Sequence, residues 1–449
     1  MASDRDYILS LQAVRAQASV VLDAAKEGGL NHFNFDAAKM DDAAKYVVGL
    51  IERDFGPDKF DQIPPHGRWQ HFEIGGVPRV TSLIKGWADE GVDKVEITRR
   101  LIDLFFVSVL LDAGAGDVWS FKEPETEQSY VRSEGIAVAS LYMFVAGEFS
   151  SGAISKTSVD AKGLISLQDS VFSKSFQISE SNPMVGVSSR IELLQSVGRS
   201  LASLPEIFGE AGRPGKLVGT LITHFNCVKA PANISTDYLI AQAGDKKALD
   251  YETLWSCLQK LLIPSWPSDR TVVDGQPVGD AWPLAILTAK ADKEGDSSPR
   301  SRIQPFHKLT QWLGYSLVVP FTRQLGYSWD NLTLGTGLPE YRNGGLFVDL
   351  GVLTLKDDDL KEGLKASGEA LPKFDASSDV IVEWRAMTVA LLDELHKIVS
   401  KTFEARGVSL SMAQMLEAGT WKSGRELAAS LRPNTKSSPI LVVSDGTLY

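Results

Sequence analysis

Cysteine is scarce in this chain. Two cysteines, Cys227 and Cys257, occur in 449 residues, and no C-x-x-C spacing is present. This excludes a disulfide framework and a zinc site built on cysteine. Scarce cysteine fits a reducing compartment, so we expect a cytoplasmic protein and leave a nuclear location open.

Long apolar runs and basic clusters are also missing. No stretch reaches eighteen uncharged apolar residues, so we expect no membrane span. The first ten residues, MASDRDYILS, are partly acidic and lack an apolar stretch, so we expect no secretory signal. The net charge is −11 and no dense Lys/Arg run occurs, so we do not expect nucleic acid as a partner.

Strong catalytic signatures are absent. The chain has no phosphate loop, no GxGxxG, no HExxH and no GxSxG elbow. The Gly-rich piece DAGAGD at 112–117 follows a helical run, and we interpret Gly114 as a helix C-cap. His66 and His71 are five residues apart and are interpreted as turn and surface histidines. We therefore predict no metal and no cofactor.

Helical periodicity dominates and predicts a mainly α fold. Four segments are predicted helices: 101–111, 188–204, 303–319 and 378–400. The first is apolar on nearly all sides, a pattern that a short buried strand would also give, and the other three carry apolar residues at helical spacing. The second is expected to be capped by Ser188 or Ser189 and the fourth by Ser378. In the third, Pro305 fits the first turn and Pro320 the end.

Strand signals are few, and the clearest is the C-terminal PILVVSDGTLY with its Asp445-Gly446 turn. Loop composition marks 266–280, 290–302 and 366–379. Because these breaks are short, we predict one interlocked helical domain over 1–449. The alternative is an N-terminal part, 1–265, and a C-terminal part, 303–449, joined by the loop-rich 266–302.

Polar residues at 340–343 lie directly before Gly344-Gly345 and an apolar run. At a helix entrance, Glu340 can have its pKa tuned by burial, by Arg342 and by the helix dipole. Such a carboxylate can act as a general base or stabilise positive charge on a sugar ring. The competing interpretation is a capping glutamate paired with a structural arginine.

Further polar positions lie on other helices. Lys308 is expected in the first turn of a helix that also carries Gln311 and Trp312, a position that suits binding of a phosphate or a polar head group. The competing interpretation is that Lys308 is simply exposed and Trp312 is part of the core. Glu383 and Arg385 are two residues apart, so we expect each to pair with a different element. Residues 132–135 predict a polar helix start capped by Ser133, and 417–422 a helix stop.

Taken in order, many blocks of the chain resemble the uracil-catabolism protein 4 family. They are YILSLQAVRAQASVVL, RWQHFEIGG, SVLLDAGAGDVW, RSEGIAVAS, NPMVGVSSR, PFHKLTQWLGYSL, TGLPEYRNGGLFVDLGVL, VEWRAMTVALLDEL, EAGTWKSGRELA and the closing SDGT. The resemblance implies a role in a pathway that converts uracil to its ribonucleotide, opens the ring and passes through a ribosylurea-type intermediate.

A more distant resemblance is to the queuosine-salvage N-glycosidases. It implies a helical fold similar to the helix-hairpin-helix DNA glycosylases. HKLTQWLGYSL looks like their lysine- and glutamine-bearing helix, and LPEYRNGGLFVDLGVL looks like a block in which they carry aspartate where this chain has Glu340. VEWRAMTVALL is similar to a further block of these enzymes, one that carries a glutamate and an arginine at the positions of Glu383 and Arg385. Their aromatic-rich block is replaced here by DAGAGD, which suits a leaving group smaller than a purine-like base, such as urea.

These resemblances imply an N-ribosyl hydrolase that releases urea from ribosylurea or its 5′-phosphate. Glu340 would be the catalytic carboxylate. The predicted substrate-binding residues are Lys308, Gln311, Tyr341, Arg342, Arg385, Asp112, Trp119 and Glu134. The alternatives are an amidohydrolase acting on the ring-opened ureido intermediate, and a non-catalytic scaffold associated with other uracil-catabolism enzymes.

Overall fold

A computed structural model describes residues 3–112, 114–116, 118–219, 247–267 and 270–443. The fold is mainly α-helical, with short strands that pair two by two, as the sequence predicts. Among these residues, every helix is too short or too polar to cross a membrane.

The described chain divides into two compact units. The first comprises residues 3–66, 270–311 and 333–443, and the second comprises 67–267 and 312–332 with the gaps given above. Each unit therefore combines segments that are distant in the sequence.

The central helix of the first unit is Asp379–Glu404. Its predicted stripe is confirmed, because Ile381, Trp384 and Leu391 are buried with their neighbours along the helix. Ser378 is its N-cap residue, but the hydroxyl donates to the carbonyl of Asp375 instead of capping the helix.

This helix packs against Leu11–Lys26 and Tyr341–Asp349. A Cβ on Gly344 would lie 2.8 Å from Cε2 of Trp384, so only glycine allows the second of these helices to approach so closely.

The other helices of the first unit are Asp4–Ile8, Met40–Phe55, Ala285–Glu294, Asp357–Ser367, Met412–Met415 and Trp421–Leu431, with 3-10 turns at Ala37–Lys39, Phe60–Gln62 and Pro299–Ser301. Its antiparallel strand pairs are Phe33–Phe35 with Leu353–Leu355, Val272–Val273 with Gln276–Pro277, and Ala281–Pro283 with Ile303–Pro305. Leu441–Val443 pairs in parallel with Lys373–Asp375, which confirms the C-terminal strand. The predicted turn at 445–446 lies outside the described residues.

The second unit is built around helix Lys94–Leu110. Asp93 caps it by accepting the backbone N–H groups of Val95 and Glu96. Residues 101–110 are all buried, which confirms the predicted buried apolar helix. Asp103 is buried among them and is bound by Arg213, and burial raises the pKa of this carboxyl to about 6.

The other helices of the second unit are Arg68–Phe72, Arg79–Asp89, Arg132–Ala146, Ala161–Ile165, Asp169–Ser175, Val187–Ala202, Pro205–Phe208 and Tyr251–Leu262. The 3-10 turns are Ile74–Gly76, Pro214–Lys216 and Ile263–Ser265. Ser120–Lys122 pairs antiparallel with Ser129–Val131, and Ala248–Asp250 pairs in parallel with Ser328–Asp330. A further 3-10 turn, Leu332–Leu334, has residues in both units.

Several predicted helix ends are wrong. The C-cap after residue 110 is Leu111, not Gly114. Helix Val187–Ala202 begins after Gly186, which has a φ of 71°, so Ser188 and Ser189 lie inside the helix. Helix Arg132–Ala146 follows Val131 and has no side-chain cap from Ser133.

The predicted helix 303–319 begins later than expected. Pro305 belongs to a strand that pairs with Ala281–Pro283, and the helix is Lys308–Pro320. The α-helix ends at Pro320, as predicted, but the φ of this proline, −56°, is helical and the chain continues as a π-helical turn, Phe321–Leu325. A second π-helical turn, Leu416–Thr420, leads directly into the next helix where a stop was expected.

Candidate functional site

Glu340 is the N-cap of helix Tyr341–Asp349. Its Oε2 accepts the backbone N–H of Arg342 at 2.7 Å, and its Oε1 accepts that of Asn343 at 2.6 Å. These bonds satisfy two of the N–H groups that a helix start leaves open. The prediction of a carboxylate at a helix entrance is confirmed, and so is its capping role.

The Glu340 carboxyl is also a buried titratable group. The residue is 9% exposed. Burial raises the pKa of Glu340, and the two backbone amides and the charges of Lys308 and Arg342 only partly oppose it. Each carboxylate oxygen keeps a lone pair beyond its amide bond. A carboxyl of this kind can exchange a proton at a higher pH than an ordinary glutamate.

Lys308 is the first residue of helix Lys308–Pro320, as predicted for a first-turn lysine. It is half-buried. Its backbone N–H donates to Oδ2 of Asp280 at 3.0 Å, and its charge lowers the pKa of Glu340. Lys308 and Glu340 therefore share one electrostatic neighbourhood in the first unit.

Asp280 is a buried carboxylate that the sequence does not single out. Its two oxygens accept both terminal nitrogens of Arg385, each at 2.8 Å, and Oδ1 also accepts the indole N–H of Trp282. Burial alone would raise the pKa of Asp280, but the Arg385 charge and these hydrogen bonds outweigh it and hold the pKa well below the usual range. Asp280 ends a segment predicted to be a loop, and no motif marks it.

Glu383 and Arg385 pair with different elements, as predicted. Glu383 accepts three backbone N–H groups, those of Asn31, His32 and Phe33. Arg385 donates to Asp280 and, through Nε, to the carbonyl of Pro339 at 3.2 Å. The hydrogen bond to Pro339 connects the Asp280–Arg385 pair with the residue directly before Glu340.

Gln311 and Arg342 join segments of the protein. The Gln311 amide nitrogen donates to the Phe306 carbonyl and to Oγ1 of Thr336, and its oxygen accepts the N–H of Thr336. Arg342 donates to the carbonyl of Lys436 at 3.0 Å and stacks on the ring of Tyr341. A substrate contact at Gln311, Tyr341, Arg342 or Arg385 stays a prediction.

The second unit holds Asp112 and Glu134 near a buried arginine. Arg68 donates to Oδ2 of Asp112 at 2.8 Å and to the hydroxyl of Ser108 at 2.8 Å. Burial lowers the pKa of Arg68, while the charges of Asp112 and Glu134 oppose this shift. His71 contacts the same guanidinium at 3.1 Å and is buried, so its assignment as a surface histidine is wrong. His66, in the first unit, is buried as well.

Trp119 lies fully buried in the second unit. Its indole N–H donates to the carbonyl of Phe176 at 2.9 Å, and the two rings stack. Arg190, absent from the predicted set, donates to the carbonyls of Leu111 and Gly114 and braces the chain around Asp112. Burial lowers the pKa of Arg190 to about 10.

The predicted residues are thus divided between the two units. The first unit contains Glu340, Lys308, Gln311, Tyr341, Arg342 and Arg385, and the second contains Asp112, Trp119 and Glu134. A cavity of about 290 Å³ in the first unit is lined by Tyr7, Gln17, Lys290, Arg300 and other residues, none of them in the predicted set.

One cluster among the described residues has ligand types suited to a metal. Single ligand atoms of His32, Asp379 and Glu383 lie within 4.8 Å of one another, a grouping of distant residues that the sequence does not indicate. Its two ring nitrogens contact Asp359 at 2.8 Å and Asp379 at 3.0 Å. The hydrogen bond to Asp379, set against a smaller opposing effect of burial, raises the pKa of His32 to about 9. The geometry suits a protonated imidazole between two carboxylates.

Comparison with known proteins shows the family. The model of the protein of unknown function family DUF1688 matches residues 7–449, and the chain belongs to this family. Protein urg3 of Schizosaccharomyces pombe (strain 972 / ATCC 24843) is 46% identical over 444 residues, which cover 98% of each chain. Uracil catabolism protein 4 of Lachancea kluyveri is 42% identical over 454 residues, covering 99% of this chain and 98% of the relative.

Proposed function

We propose that this protein acts in uracil catabolism as an N-ribosyl hydrolase that releases urea from ribosylurea or its 5′-phosphate. The name of the relative from Lachancea kluyveri supports the pathway. The observation that carries the reaction type is Glu340, a buried helix-capping carboxylate with a raised pKa and a lysine charge in its neighbourhood.

The reaction adds water across the bond between C1′ of ribose and a urea nitrogen. The bond electrons leave with the nitrogen, and positive charge develops on C1′ and the ring oxygen. The Glu340 carboxylate stabilises this charge and accepts a proton from the attacking water, whose oxygen bonds to C1′. The departing nitrogen takes up a proton from solvent and becomes urea, and Glu340 returns the proton it took from water to solvent, which restores the carboxylate.

Lys308 is proposed to meet the 5′ end of the ribose. A lysine at the first residue of a helix combines its own positive charge with the positive end of the helix dipole, and both favour a phosphate. The positive charge of Lys308 also favours the ionised form of Glu340, which is the form that accepts a proton.

The decisive experiment supplies purified protein with ribosylurea and, separately, with its 5′-phosphate. Free urea is measured as the ammonia that appears only after urease is added, and the sugar product is measured in parallel. We expect equal amounts of urea and of ribose or ribose 5-phosphate. Ammonia without urease would identify an amidohydrolase. Substrate recovered intact would favour a non-catalytic scaffold.

A further inference from the structure

The turn that precedes Lys308 has an unusual backbone. His307 is a buried residue with a φ of 48°, in the left-handed region that non-glycine residues rarely occupy. Its ring nitrogen Nε2 is tied to the carbonyl of Ile8 at 2.9 Å. Strained backbone persists only where surrounding contacts hold it, and it is concentrated at functional sites.

Asp280 supplies those contacts. Its backbone carbonyl accepts the N–H groups of Phe306 at 2.9 Å and His307 at 3.1 Å. Its Oδ2 accepts the next N–H, that of Lys308. Three consecutive amides therefore end on one residue, which fixes where helix Lys308–Pro320 starts.

Asp280 is itself held by Arg385. The bidentate ion pair is almost completely removed from solvent, and the guanidinium lies 4.0 Å from the centre of the Phe306 ring. A bidentate arginine–carboxylate pair fixes both position and orientation. The direction of the Asp280 carboxylate, and with it the start of the helix, is therefore set by the helix that carries Arg385.

We propose that Asp280 is the positioning residue for the 5′-phosphate of the substrate and acts through Lys308. The inference rests on the proposed function, since it assumes that Lys308 meets the 5′ end. Asp280 does not touch the substrate. It holds the lysine backbone in the place from which the ammonium group reaches the phosphate.

The test is Asp280→Asn, with Trp282→Phe as the matched control. The control removes a donor to Oδ1 of the same carboxylate and leaves Oδ2, which holds Lys308. For Asp280→Asn we expect KM for the phosphorylated substrate to rise at least about tenfold and KM for the dephosphorylated form to change less than about threefold. Trp282→Phe should leave the ratio of the two KM values unchanged.

If Asp280→Asn does not fold, the double variant Asp280→Asn with Arg385→Gln removes the unpaired buried charge and is expected to show the same selective loss. An equal loss of activity toward both substrates would overturn the inference, because a merely structural role reduces only the folded fraction.

Calorimetric titration with ribose 5-phosphate separates this inference from the proposed function. If the wild-type protein releases no urea but binds ribose 5-phosphate, and only Asp280→Asn weakens that binding, the proposed function fails and the positioning role stands. If the wild-type protein neither binds ribose 5-phosphate nor releases urea, both are wrong.

Discussion

Asp280 and Glu340 are two buried carboxylates of the same unit whose pKa values move in opposite directions. Asp280 faces a guanidinium that binds both of its oxygens, and its pKa falls. Glu340 accepts two backbone amides and forms no direct ion pair with another residue of the described chain, and burial raises its pKa. Burial is the largest effect on both, so the difference comes from the neighbours.

Asp280 and Glu340 represent two kinds of buried carboxylate. A carboxylate bound by a bidentate arginine has a structural role, because it stays ionised at any ordinary pH and so does not exchange protons. A carboxylate held by backbone amides keeps lone pairs and a pKa that burial can raise, which suits proton exchange. Asp280 is thus suited to hold segments together and Glu340 to take part in chemistry.

Removing the Asp280 carboxylate is expected to give the largest loss of stability. Asp280→Ala removes the carboxylate that binds both terminal nitrogens of the buried Arg385, and breaking a buried ion pair from one side costs about 3–5 kcal/mol. Unfolding in guanidinium chloride, followed by circular dichroism, measures the loss. Adding Arg385→Met to the same chain should restore much of it. Equal destabilisation by Asp280→Ala and Glu340→Gln would contradict the comparison.

Glu340→Gln should show the opposite balance, with a smaller loss of stability than Asp280→Ala and a large loss of activity. Glutamine has a similar volume and keeps one oxygen for the cap, so only one of the two capping N–H groups loses its acceptor, but glutamine cannot accept a proton from water. Urea release should fall by on the order of a hundredfold or more. Melting temperature and turnover are measured on the same preparation.

Glu383→Gln is the matched control, because Glu383 is also buried and also accepts backbone amides. It should lower the melting temperature while the folded protein keeps its turnover. Full activity in a stable Glu340→Gln protein would end the assignment of Glu340 as the catalytic carboxylate.

Lys308→Met should have a smaller and more selective effect. It should raise KM for the 5′-phosphorylated substrate by about ten- to a hundredfold and affect the dephosphorylated form much less. Lys397→Met, an exposed lysine on helix Asp379–Glu404, is the control and should change neither value.

The same variant should move the pH profile. Activity requires ionised Glu340, so it is lost as the pH falls through the raised pKa of this carboxyl. Lys308 lowers that pKa, and its removal should shift the acid limb of kcat/KM to higher pH. An acid limb that stays in place would show that the Lys308 charge does not act on the catalytic group.

The positions of Glu340 at a helix entrance and of Lys308 in the first turn of a helix could be predicted because local rules govern both. A carboxylate before a glycine-rich helix start predicts an N-cap, and the structure has Glu340 there. The apolar run at 101–111 and the apolar stripe at 378–400 also predict helices, and both helices are present.

The same local rules could not find Asp280 or the true start of the helix at Lys308. Asp280 gains its role from Arg385, which lies 105 residues further along the chain. Pro305 looked like a first-turn proline, but it pairs with Ala281 in a strand and the chain turns at His307 before the helix begins. Contacts between distant segments decided these features, and propensity carries no information about them.

The smallest expected effect concerns His32. This residue is a cation held between carboxylates, whereas Asp280 is a carboxylate held by a cation. Asp359 and Asp379 contact its two ring nitrogens, and Glu383 adds a third negative charge nearby. These groups raise the pKa of His32 from 6.5 to about 9. A raised histidine pKa adds stability that is fully present below pH 6.5 and is lost as the pH rises through about 9.

His32→Gln should therefore reduce the free energy of unfolding at pH 6 and have little effect at pH 10. The side chain is 23% exposed, and screening by water limits the expected difference to about 1–2 kcal/mol. Comparing wild type and variant at each pH cancels the titration of all other groups. A difference that persists at pH 10 would contradict stabilisation by the protonated imidazole of His32. Repeating the measurement on chelator-treated protein with and without added zinc tests the remaining explanation, because only a metal held by His32, Asp379 and Glu383 would make the difference depend on zinc.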